Sequence, residues 1–318
     1  ILQFFGEAAI DPEVEEINVT FYRMAKNSVI GEALISAASN GKKVSVFMEV
    51  KARFDEANNL LWAKRMQEAG IKIVYSLPGL KVHAKVALVK KKDKMYGFFG
   101  TGNLNEKTSE IYCDHGLLSC HDEMTNELSN VFEFLLTQND PPKFSHLIVS
   151  QFGAREIFEE KIDREIRNAE AGKEARIFIK INNLQEQSLI AKLYEAAEKG
   201  VDVKLIVRSI CCLIPNEKLQ VKRIVDRYLE HGRIFYFHND KEIYLGSSDW
   251  MNRNLHRRVE VCFPIYQETI KNELLSILEL QWKDDVKGVF LSPKMKNVRP
   301  SQEKNIRAQT STYEFLKG

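Results

Sequence analysis

The fold is decided by the stretch GLKVHAKVALV, residues 79–89, which is followed after a lysine-rich turn by MYGFFGTGNLN, residues 95–105. Apolar residues alternate with other residues in the first segment, and this period of two predicts one continuous β-strand. In such a strand His83 and Lys85 point to the same side. The second segment predicts a strand that ends in a glycine-rich loop.

The histidine and the loop together have the parts of an anion site. Glycines let backbone N–H groups approach an anion closely, while Asn103 and Asn105 add side-chain donors. An imidazole, an ammonium group two residues later and this loop would form a nucleophile with a phosphate cradle. An ordinary strand histidine followed by a turn would show the same pattern, and one copy alone favours that simpler interpretation.

A second, degenerate copy of the pattern changes that balance. Three pairs of segments correspond: 28–50 with 187–207, His83-Ala-Lys85 with His231-Gly-Arg233, and 100–105 with 246–252. Two α/β units that both carry a His-x-basic motif and a later Gly-polar loop are hard to obtain by chance. Duplication also predicts a pseudo-twofold relation that brings both histidines to one cleft.

The apolar spacing along the chain predicts an α/β protein in which mixed sheets are flanked by helices. Helices are predicted at 1–10, 28–40, 59–69, 122–137, 187–199, 221–230 and 267–282. Strands are predicted at 17–25, 44–50, 71–77, 81–89, 95–100, 115–119, 175–181, 201–207, 233–239, 242–248 and 258–265. Residues from 287 onward are polar and predict an extended arm with a short last helix.

Length and composition limit the kind of protein. At 318 residues the chain predicts about two domains, and 44% hydrophobic with 28% charged residues is typical of a globular protein with an ample core. A net charge of only +2 argues against a general polyanion-coating role, so any anion site must be a local cluster. No apolar run approaches the roughly 18 residues that span a membrane. Five cysteines without CxxC spacing favour reduced thiols in a cytoplasm over a disulfide framework or a zinc site.

The twice-used His-x-Lys/Arg motif with a later Gly/Ser/Asn loop resembles the phospholipase D superfamily. Within it, the sequence is more similar to the C-terminal half of the bacterial polyphosphate kinase family of the first type. The segments that carry this similarity are 21–28, 49–59, 79–89, 97–118, 205–215, 227–237 and 247–261. The resemblance implies two tandem phospholipase D-like domains related by the internal repeat, at 1–145 and 146–286, followed by a C-terminal arm at 287–318.

The activity that the resemblance implies is reversible transfer of the γ-phosphoryl group of ATP to the end of a polyphosphate chain. The family transfers it through a phosphohistidine, whose position corresponds to His83. The second family histidine corresponds to His231, which would act as general acid and base. A histidine that caps a helix end is the simpler structural alternative for His231.

Further positions follow from the resemblance and from the repeat. Nucleotide or phosphate contacts of the family correspond to His115 and Arg208. Residues expected to bind ATP or polyphosphate besides these are Lys85, Asn103, Asn105, His231, Arg233, Asp249 and Arg253.

Two arginines correspond to the magnesium–phosphate region of the family. Arg23 and Arg53 each follow a strand end, the edge where open α/β sheets place ligands. An arginine cannot ligate a cation, so we expect both to contact phosphate beside Mg²⁺ rather than the metal itself. A surface salt bridge, for example between Arg53 and Asp55, is the alternative.

One departure from the superfamily pattern leaves a question open. Phospholipase D enzymes carry HxKxxxxD, but the aspartate position holds Lys90 in the first copy and His238 in the second. The group that orients each histidine is therefore not that aspartate. The departure argues against a phospholipase D-type phosphodiesterase or nuclease, which is the rival enzyme class. A fragment that only binds polyphosphate is the non-enzymatic alternative.

The resemblance also implies the cofactor and the partners. Mg²⁺ is the expected cofactor, with ATP or ADP and inorganic polyphosphate as substrates and no nucleic acid. The chain opens within a helix at Ile1, so we expect a piece of a longer protein whose N-terminal and head domains are missing. We expect a homo-oligomer in the cytoplasm, with peripheral membrane association left open.

Overall fold

The computed structural model describes residues 1–49, 56–75, 79–300 and 305–318. The elements of the first half are α1 (Leu2–Ile10), β1 (Val14–Phe21), α2 (Val29–Ser39), β2 (Lys43–Met48), α3 (Glu56–Glu68), β3 (Lys72–Tyr75), β4 (Lys81–Val82), β5 (Lys85–Lys91), β6 (Met95–Gly100), α4 (Glu106–Ser109), β7 (Tyr112–Cys113), β8 (Gly116–Ser119), α5 (Asp122–Thr137) and β9 (Ile148–Val149). Those of the second half are α6 (Ala154–Glu170), β10 (Arg176–Ile181), α7 (Gln187–Glu198), β11 (Asp202–Val207), β12 (Gln220–Ile224), β13 (Leu229–Glu230), β14 (Arg233–Phe237), β15 (Glu242–Gly246), α8 (Asn252–His256), β16 (Arg258–Val259), β17 (Val261–Pro264), α9 (Glu268–Lys283), β18 (Gly288–Leu291), β19 (Asn297–Val298) and α10 (Ala308–Lys317).

The chain divides into two compact units, each built from separate stretches of sequence. Unit 1 comprises 1–110, 114–152 and 257–263. Unit 2 comprises 111–113, 153–256 and 264–318. The segment that carries β16 therefore belongs to unit 1, although it lies far along the chain.

Unit 1 is organised around a mixed six-stranded sheet in the order β3-β2-β1-β5-β6-β8. The first three strands are parallel, because helices α2 and α3 connect them, while β5, β6 and β8 continue the sheet antiparallel. Helix α2 begins where Ser28 accepts a hydrogen bond from the N–H of Gly31. Ile17 and Val19 of β1 lie at the centre of the core and are fully buried.

The sheet of unit 2 repeats that arrangement. Its strands follow the order β19-β18-β12-β11-β10-β14-β15, in which β12, β11 and β10 are parallel and β14 and β15 antiparallel. The five strands from β12 to β15 thus match the order and direction of β3-β2-β1-β5-β6 in unit 1. Positive-φ glycines follow the corresponding helices, Gly41 after α2 and Gly200 after α7. The predicted α/β class and internal repeat are confirmed.

The strand predicted at 81–89 is not continuous. It is broken at His83 and Ala84, whose N–H groups both donate to the carbonyl oxygen of Val259, at 2.9 and 2.8 Å. β4 pairs with the parallel strand β16, and only β5 joins the main sheet. Because a remote segment supplies the partner, the alternation in the sequence could not reveal the break.

The helix predicted at 221–230 is wrong. The segment forms β12, between β11 and β18, and then the short strand β13. Val221, Ile224, Val225 and Tyr228 have helical spacing, which explains the error. Val225 is 66% exposed, however, and Lys222 on the other face of β12 is buried, so the apolar spacing does not coincide with burial.

Two further elements differ from the sequence-based prediction. Helix α6, with Phe158 and Ile162 fully buried, lies in a region for which no helix was predicted. The described residues of the arm include β18 and β19 and end in a helix, as predicted, but β18 pairs with β12 as a strand of the sheet. Among the described residues, no helix has both the length and the apolar composition needed to cross a bilayer.

Candidate active site

His83 lies at the bend between β4 and β5 in unit 1. Its backbone N–H donates to Val259, which places the imidazole beside the following residue of that segment, Glu260. The ring is 4.9 Å from that of Tyr22 and meets it edge-on. Backbone pairing on one side and an aromatic ring on another thus restrict the orientation of the imidazole.

Glu260 is the group that orients His83. Nδ1 of His83 lies 2.9 Å from the carboxylate, which is completely buried. Burial lowers the pKa of His83 to about 3, against the opposing effect of Glu260. Burial alone would raise the pKa of Glu260, but His83, Lys85 and Arg258 together hold it well below its usual range.

The protonation state of the pair follows from these shifts. At neutral pH the imidazole is neutral and the carboxylate is ionised. An ionised carboxylate only accepts hydrogen bonds, so the proton of His83 resides on Nδ1. Nε2 then carries the lone pair, as a nucleophile at phosphorus requires.

Cationic side chains surround the aromatic ring next to His83. The charged groups of Arg23, Lys81 and Lys85 lie 5.4, 4.9 and 5.5 Å from the centroid of Tyr22. Lys85 also donates through Nζ to the carbonyl oxygen of His83. Arg23 and Lys85, both predicted site residues, thus lie around the ring that meets His83 edge-on, while Tyr22 and Lys81 were missed.

Arg258 adds a further positive charge on the segment that carries Glu260. Its Nη1 lies 3.8 Å from the Glu260 carboxylate. The combination of a neutral imidazole and nearby cations suits a phosphoryl group, whose equatorial oxygens carry the negative charge.

The Gly-Thr-Gly loop makes close contacts with the segment that follows β7. Thr101 donates to Oδ1 of Asp114 at 2.6 Å and pairs through its backbone with His115. A Cβ on Gly102 would lie only 2.0 Å from the Asp114 carboxylate. The second glycine therefore makes room for a carboxylate, and the loop is fastened to the segment that carries His115.

The two predicted asparagines occupy different environments. Asn105 caps α4, accepting hydrogen bonds from the N–H groups of Lys107 and Thr108 at 3.1 and 3.0 Å. Its Nδ2 is 3.4 Å from the carbonyl oxygen of Arg23, so it also restrains that arginine. Oδ1 of Asn103 is buried and accepts no hydrogen bond within the described part of the chain. Oδ1 of Asn103 could therefore accept a hydrogen bond from a ligand, while Asn105 is a helix cap.

His231 is fixed in unit 2 by its backbone. Its N–H donates to the carbonyl oxygen of Cys113 at 3.1 Å, beside the parallel pair of β13 and β7. Its carbonyl oxygen accepts from Asn182 at 3.0 Å and from Arg233 at 2.9 Å. The ring centroid is 5.0 Å from that of Tyr112, which sequence reasoning missed.

Arg233 and Asp249 are buried and form an ion pair with Nε–Oδ1 of 3.2 Å. Burial alone would raise the pKa of Asp249, but Arg233 and hydrogen bonds from Asn183 and the N–H of Asn182 hold it below its usual value. These contacts hold the second Gly-polar loop, residues 246–252, in place. Phosphate binding by either side chain stays a prediction.

Asn182 also connects the remaining arginine of this group. Its Oδ1 accepts from Nε of Arg208 at 2.8 Å, while its Nδ2 donates to His231. Asn182 therefore contacts three predicted residues of unit 2 (Arg208, His231 and Asp249), and the fourth, Arg233, is joined to two of them. Arg253 is exposed on α8. Arg53 lies outside the described residues.

Lys90 and His238 hold the positions at which phospholipase D enzymes carry an aspartate, and each contacts a neighbouring polar side chain. Nζ of Lys90 lies 3.9 Å from Glu16, and the ring of His238 contacts the hydroxyl of Tyr236 with an O–N distance of 3.0 Å. Among the described residues, no group of three or more His, Cys, Asp or Glu side chains could hold a metal ion.

Comparison with known proteins places this chain. The family model "Polyphosphate kinase C-terminal domain 1" matches residues 1–141, and "Polyphosphate kinase C-terminal domain 2" matches residues 147–309. The chain belongs to the polyphosphate kinase family. The full extent of this chain is 41% identical to the polyphosphate kinase of Escherichia coli K12 and 42% identical to that of Yersinia pestis, and covers 48% of each. The chain thus spans about half the length of these curated relatives.

Solved structures agree with this assignment. The polyphosphate kinase of Porphyromonas gingivalis superposes with a TM-score of 0.93 at 42% identity, over 100% of this chain and 50% of that chain. A phosphatidylserine synthase of Haemophilus influenzae superposes with a TM-score of 0.66 at 13% identity, over 99% of this chain and 90% of its own, which shows likeness of fold alone. The predicted resemblance to the polyphosphate kinase family is confirmed.

Glu260, which orients His83, was not predicted from the sequence. It lies between Val259 and Val261, which are both buried. An acidic residue inside an apolar strand is a usable signal, because a buried carboxylate requires a partner. The sequence could not show which histidine that partner is.

Proposed function

We propose that this chain is the catalytic half of a polyphosphate kinase, which transfers the γ-phosphoryl group of ATP to the end of a polyphosphate chain through a phosphohistidine at His83. The observation that carries the proposal is the hydrogen bond between Nδ1 of His83 and the buried Glu260. It leaves the lone pair of a neutral imidazole on Nε2, and the charged groups of Arg23, Lys81 and Lys85 lie around the Tyr22 ring, which meets this imidazole edge-on.

The first transfer forms one bond and breaks another. Nε2 of His83 attacks the γ-phosphorus, and the bond from this phosphorus to the β–γ bridging oxygen breaks, so that ADP leaves with the electron pair. The phosphorylated imidazole keeps its proton on Nδ1 and gains positive charge, which the Glu260 carboxylate stabilises. Arg23, Lys81 and Lys85 neutralise the phosphoryl oxygens.

The second transfer returns His83 to its starting state. A terminal phosphate oxygen of polyphosphate attacks the phosphorus, and the N–P bond breaks with its electron pair returning to Nε2. Two steps let ADP leave before polyphosphate enters, and each step is reversible. His231 is proposed to donate a proton to the departing oxygen and to accept it in the reverse direction.

Mg²⁺ is proposed to enter bound to the phosphates of the nucleotide. The residues around His83 are mostly cations, which fit phosphate oxygens and do not ligate a metal. When bound, Mg²⁺ supplies additional positive charge to the β- and γ-phosphoryl oxygens. Arg23 would then contact phosphate beside the metal, as expected from the resemblance.

The test is label transfer from γ-labelled ATP in the intact protein. Acid-labile, base-stable label is expected on the wild-type chain, and none on His83→Ala or His83→Gln. The glutamine variant retains a hydrogen-bond donor for Glu260. Loss of label in this variant can therefore not be explained by loss of the buried contact. His121→Ala, which changes a histidine at the start of α5, serves as control and is expected to label normally.

Three other outcomes would overturn the proposal. Label on His83→Gln equal to that on the wild type would exclude His83 as the carrier. Hydrolysis of bis(p-nitrophenyl) phosphate with no label from ATP would favour a phosphodiesterase. Retained polyphosphate binding with no label would favour a chain that only binds the polymer.

A further inference from the structure

The last helix, α10, packs against α9 and is hydrogen-bonded to the rest of unit 2 at and just before its first turn. Oδ2 of Asp284 accepts from the N–H of Ala308 at 2.7 Å, and Oδ1 of Asp285 accepts from the N–H groups of Asn305 and Ile306 at 2.9 and 2.8 Å. Arg307 makes a bidentate ion pair with Asp226, at 2.8 and 2.6 Å. The later residues Tyr313, Phe315 and Leu316 are exposed.

The residue that this turn presents is Gln309. Its Nε2 donates to the carbonyl oxygen of Tyr228 at 2.8 Å and to Oε1 of Glu230 at 2.8 Å. Its Oε1 accepts from the N–H of Tyr228 at 3.1 Å. Nε2 also lies 3.8 Å from Sγ of Cys113. One side-chain amide therefore uses both its donor and its acceptor on the strand that leads into His231.

Glu230 connects this contact to the sheet. The carboxylate is buried and pairs with Nζ of Lys180 on β10 at 2.6 Å, and it accepts from Gln281 on α9 at 3.2 Å. His231 is the next residue, so its backbone can shift only if this network shifts. Cys113, on the other side, accepts from the N–H groups of His231 and Gly232.

We propose that Gln309 is a positioning residue for His231, so that the C-terminal helix affects phosphoryl transfer through the general acid and base carried by unit 2. The inference rests on the role proposed above for His231. Gln309 holds the 228–230 segment against β7, and a displacement of about 1 Å in a catalytic group can reduce turnover by a large factor. A helix that served only to cover the sheet would not need an amide aimed at this strand.

The test compares three variants of the intact protein. Gln309→Ala removes every contact of the amide, while Gln309→Glu keeps its size and the acceptor for Tyr228 but sets a carboxylate against Glu230. Thr310→Ala is the matched control, because Thr310 is the adjacent, exposed residue of the same helix. Two kinds of measurement are made. Steady-state kinetics give kcat and KM for ATP. NMR of protein labelled at the histidine Cε1 follows the pH titration of His231, whose signal is assigned through His231→Gln.

We expect kcat to fall about tenfold in Gln309→Ala and further in Gln309→Glu, with KM for ATP within about twofold of the wild type. The titration of His231 should shift in both variants, while the His83 signal stays unchanged. Thr310→Ala should match the wild type in both measurements.

Other results would overturn the inference. An unchanged His231 titration with wild-type kcat in both Gln309 variants would show that the contact does not position the histidine. A loss of activity in which the His83 signal also changes would show a general structural role. Full activity of His231→Gln would refute the role of His231 in the proposed function, and that result is separate from whether Gln309 moves the His231 signal.

Discussion

His83 is neutral because it is buried, although a carboxylate lies next to it. A glutamate partner alone would raise the pKa of an imidazole, but loss of solvation outweighs that effect here. Because Glu260 is also buried, its carboxylate needs a hydrogen-bond donor, and Nδ1 of His83 supplies one at 2.9 Å. Each residue of the pair therefore sets the state of the other: the carboxylate selects the tautomer, and the imidazole offers the buried donor.

Replacing Glu260 with glutamine should slow phosphorylation of His83 strongly. A neutral amide neither selects the Nδ1–H tautomer nor stabilises the positive charge of the phosphorylated ring. By analogy with the orienting aspartate of a serine protease triad, we expect the rate of label incorporation to fall by roughly a hundredfold or more. Single-turnover labelling from γ-labelled ATP measures this rate. Glu268→Gln, which alters an exposed ion pair with Lys271, is the control; equal rates in both variants would refute the assigned role.

The lowered pKa of His83 also predicts how stability depends on pH. Between about pH 6.5 and about pH 3, the unfolded chain binds a proton on this histidine and the folded chain does not. The unfolded state gains stability as pH falls, so the free energy of unfolding should decrease across this window. The Glu260 carboxyl, whose pKa is also lowered, acts in the same direction at more acidic pH.

Urea denaturation at pH 7, 6 and 5 tests this linkage. The decrease in the free energy of unfolding between pH 7 and pH 5 should be smaller in His83→Gln than in the wild type, because the variant lacks the titrating group. His121→Ala should retain the wild-type decrease. Parallel curves for wild type and His83→Gln would show that the imidazole does not titrate as described.

At the scale of the element, the glycine-rich loop between β6 and α4 shows that a glycine can make room for a neighbouring side chain as well as for a ligand. The pattern Gly-Thr-Gly-Asn predicts a loop that approaches an anion. In the structure the space at Gly102 is filled by the Asp114 carboxylate, which accepts from Thr101. The loop is therefore stabilised internally, and its contact with phosphate stays a prediction.

Gly102→Ala should destabilise the protein. The new methyl group would lie 2.0 Å from Oδ2 and 2.3 Å from Cγ of Asp114, so the carboxylate must leave Thr101. We expect a loss of about 1–3 kcal/mol in the free energy of unfolding. Urea denaturation measures this loss, and the double variant Gly102→Ala/Asp114→Gly should recover part of it.

A glycine with free space provides the control for that substitution. Nothing lies within 4 Å of a Cβ built on Gly6, which is inside helix α1. Gly6→Ala should therefore leave stability unchanged or raise it by roughly 0.5–1 kcal/mol. If Gly102→Ala behaves like Gly6→Ala, the close approach of Asp114 does not restrict this position.

At the scale of the whole molecule, duplication explains most of the architecture. β3-β2-β1-β5-β6 of unit 1 and β12-β11-β10-β14-β15 of unit 2 have the same order and directions. The chain spans about half the length of its curated relatives, so the activity proposed here concerns the part of a kinase that carries both histidines. The prediction that His83 and His231 share one cleft stays a prediction.

Removal of divalent metal should stop phosphorylation without unfolding the protein. The described residues contain no cluster of acidic, thiol or imidazole side chains for a metal, and we expect Mg²⁺ to arrive on the nucleotide. Chelation with EDTA should therefore abolish label incorporation, and excess Mg²⁺ should restore it. The thermal unfolding midpoint should be the same with and without EDTA. Labelling that continues in EDTA would contradict a role for Mg²⁺ in this step.

Local patterns predicted the elements well wherever burial and period coincide. Helix α5 has the predicted bounds, and strand β6 begins and ends where its alternation predicts. The prediction failed at β12, where Val221 and Ile224 also satisfy helical spacing, and at His83, where a distant strand interrupts the alternation. In both cases the deciding partner lies outside the segment, so no window along the chain contains the information.

By itself, the sequence determined the α/β class and the internal repeat, because periodicity and motif spacing are properties of residues close together along the chain, and its resemblance to known proteins indicated the family. Only the tertiary structure decided that Glu260 orients His83, that Asp114 occupies the space at Gly102 and that Gln309 meets the strand before His231. The residues of these three pairs (83 and 260, 102 and 114, 230 and 309) are separated by 177, 12 and 79 positions. Their contacts arise from how the strands pair and from which side chains burial forces together, and neither is encoded in local spacing.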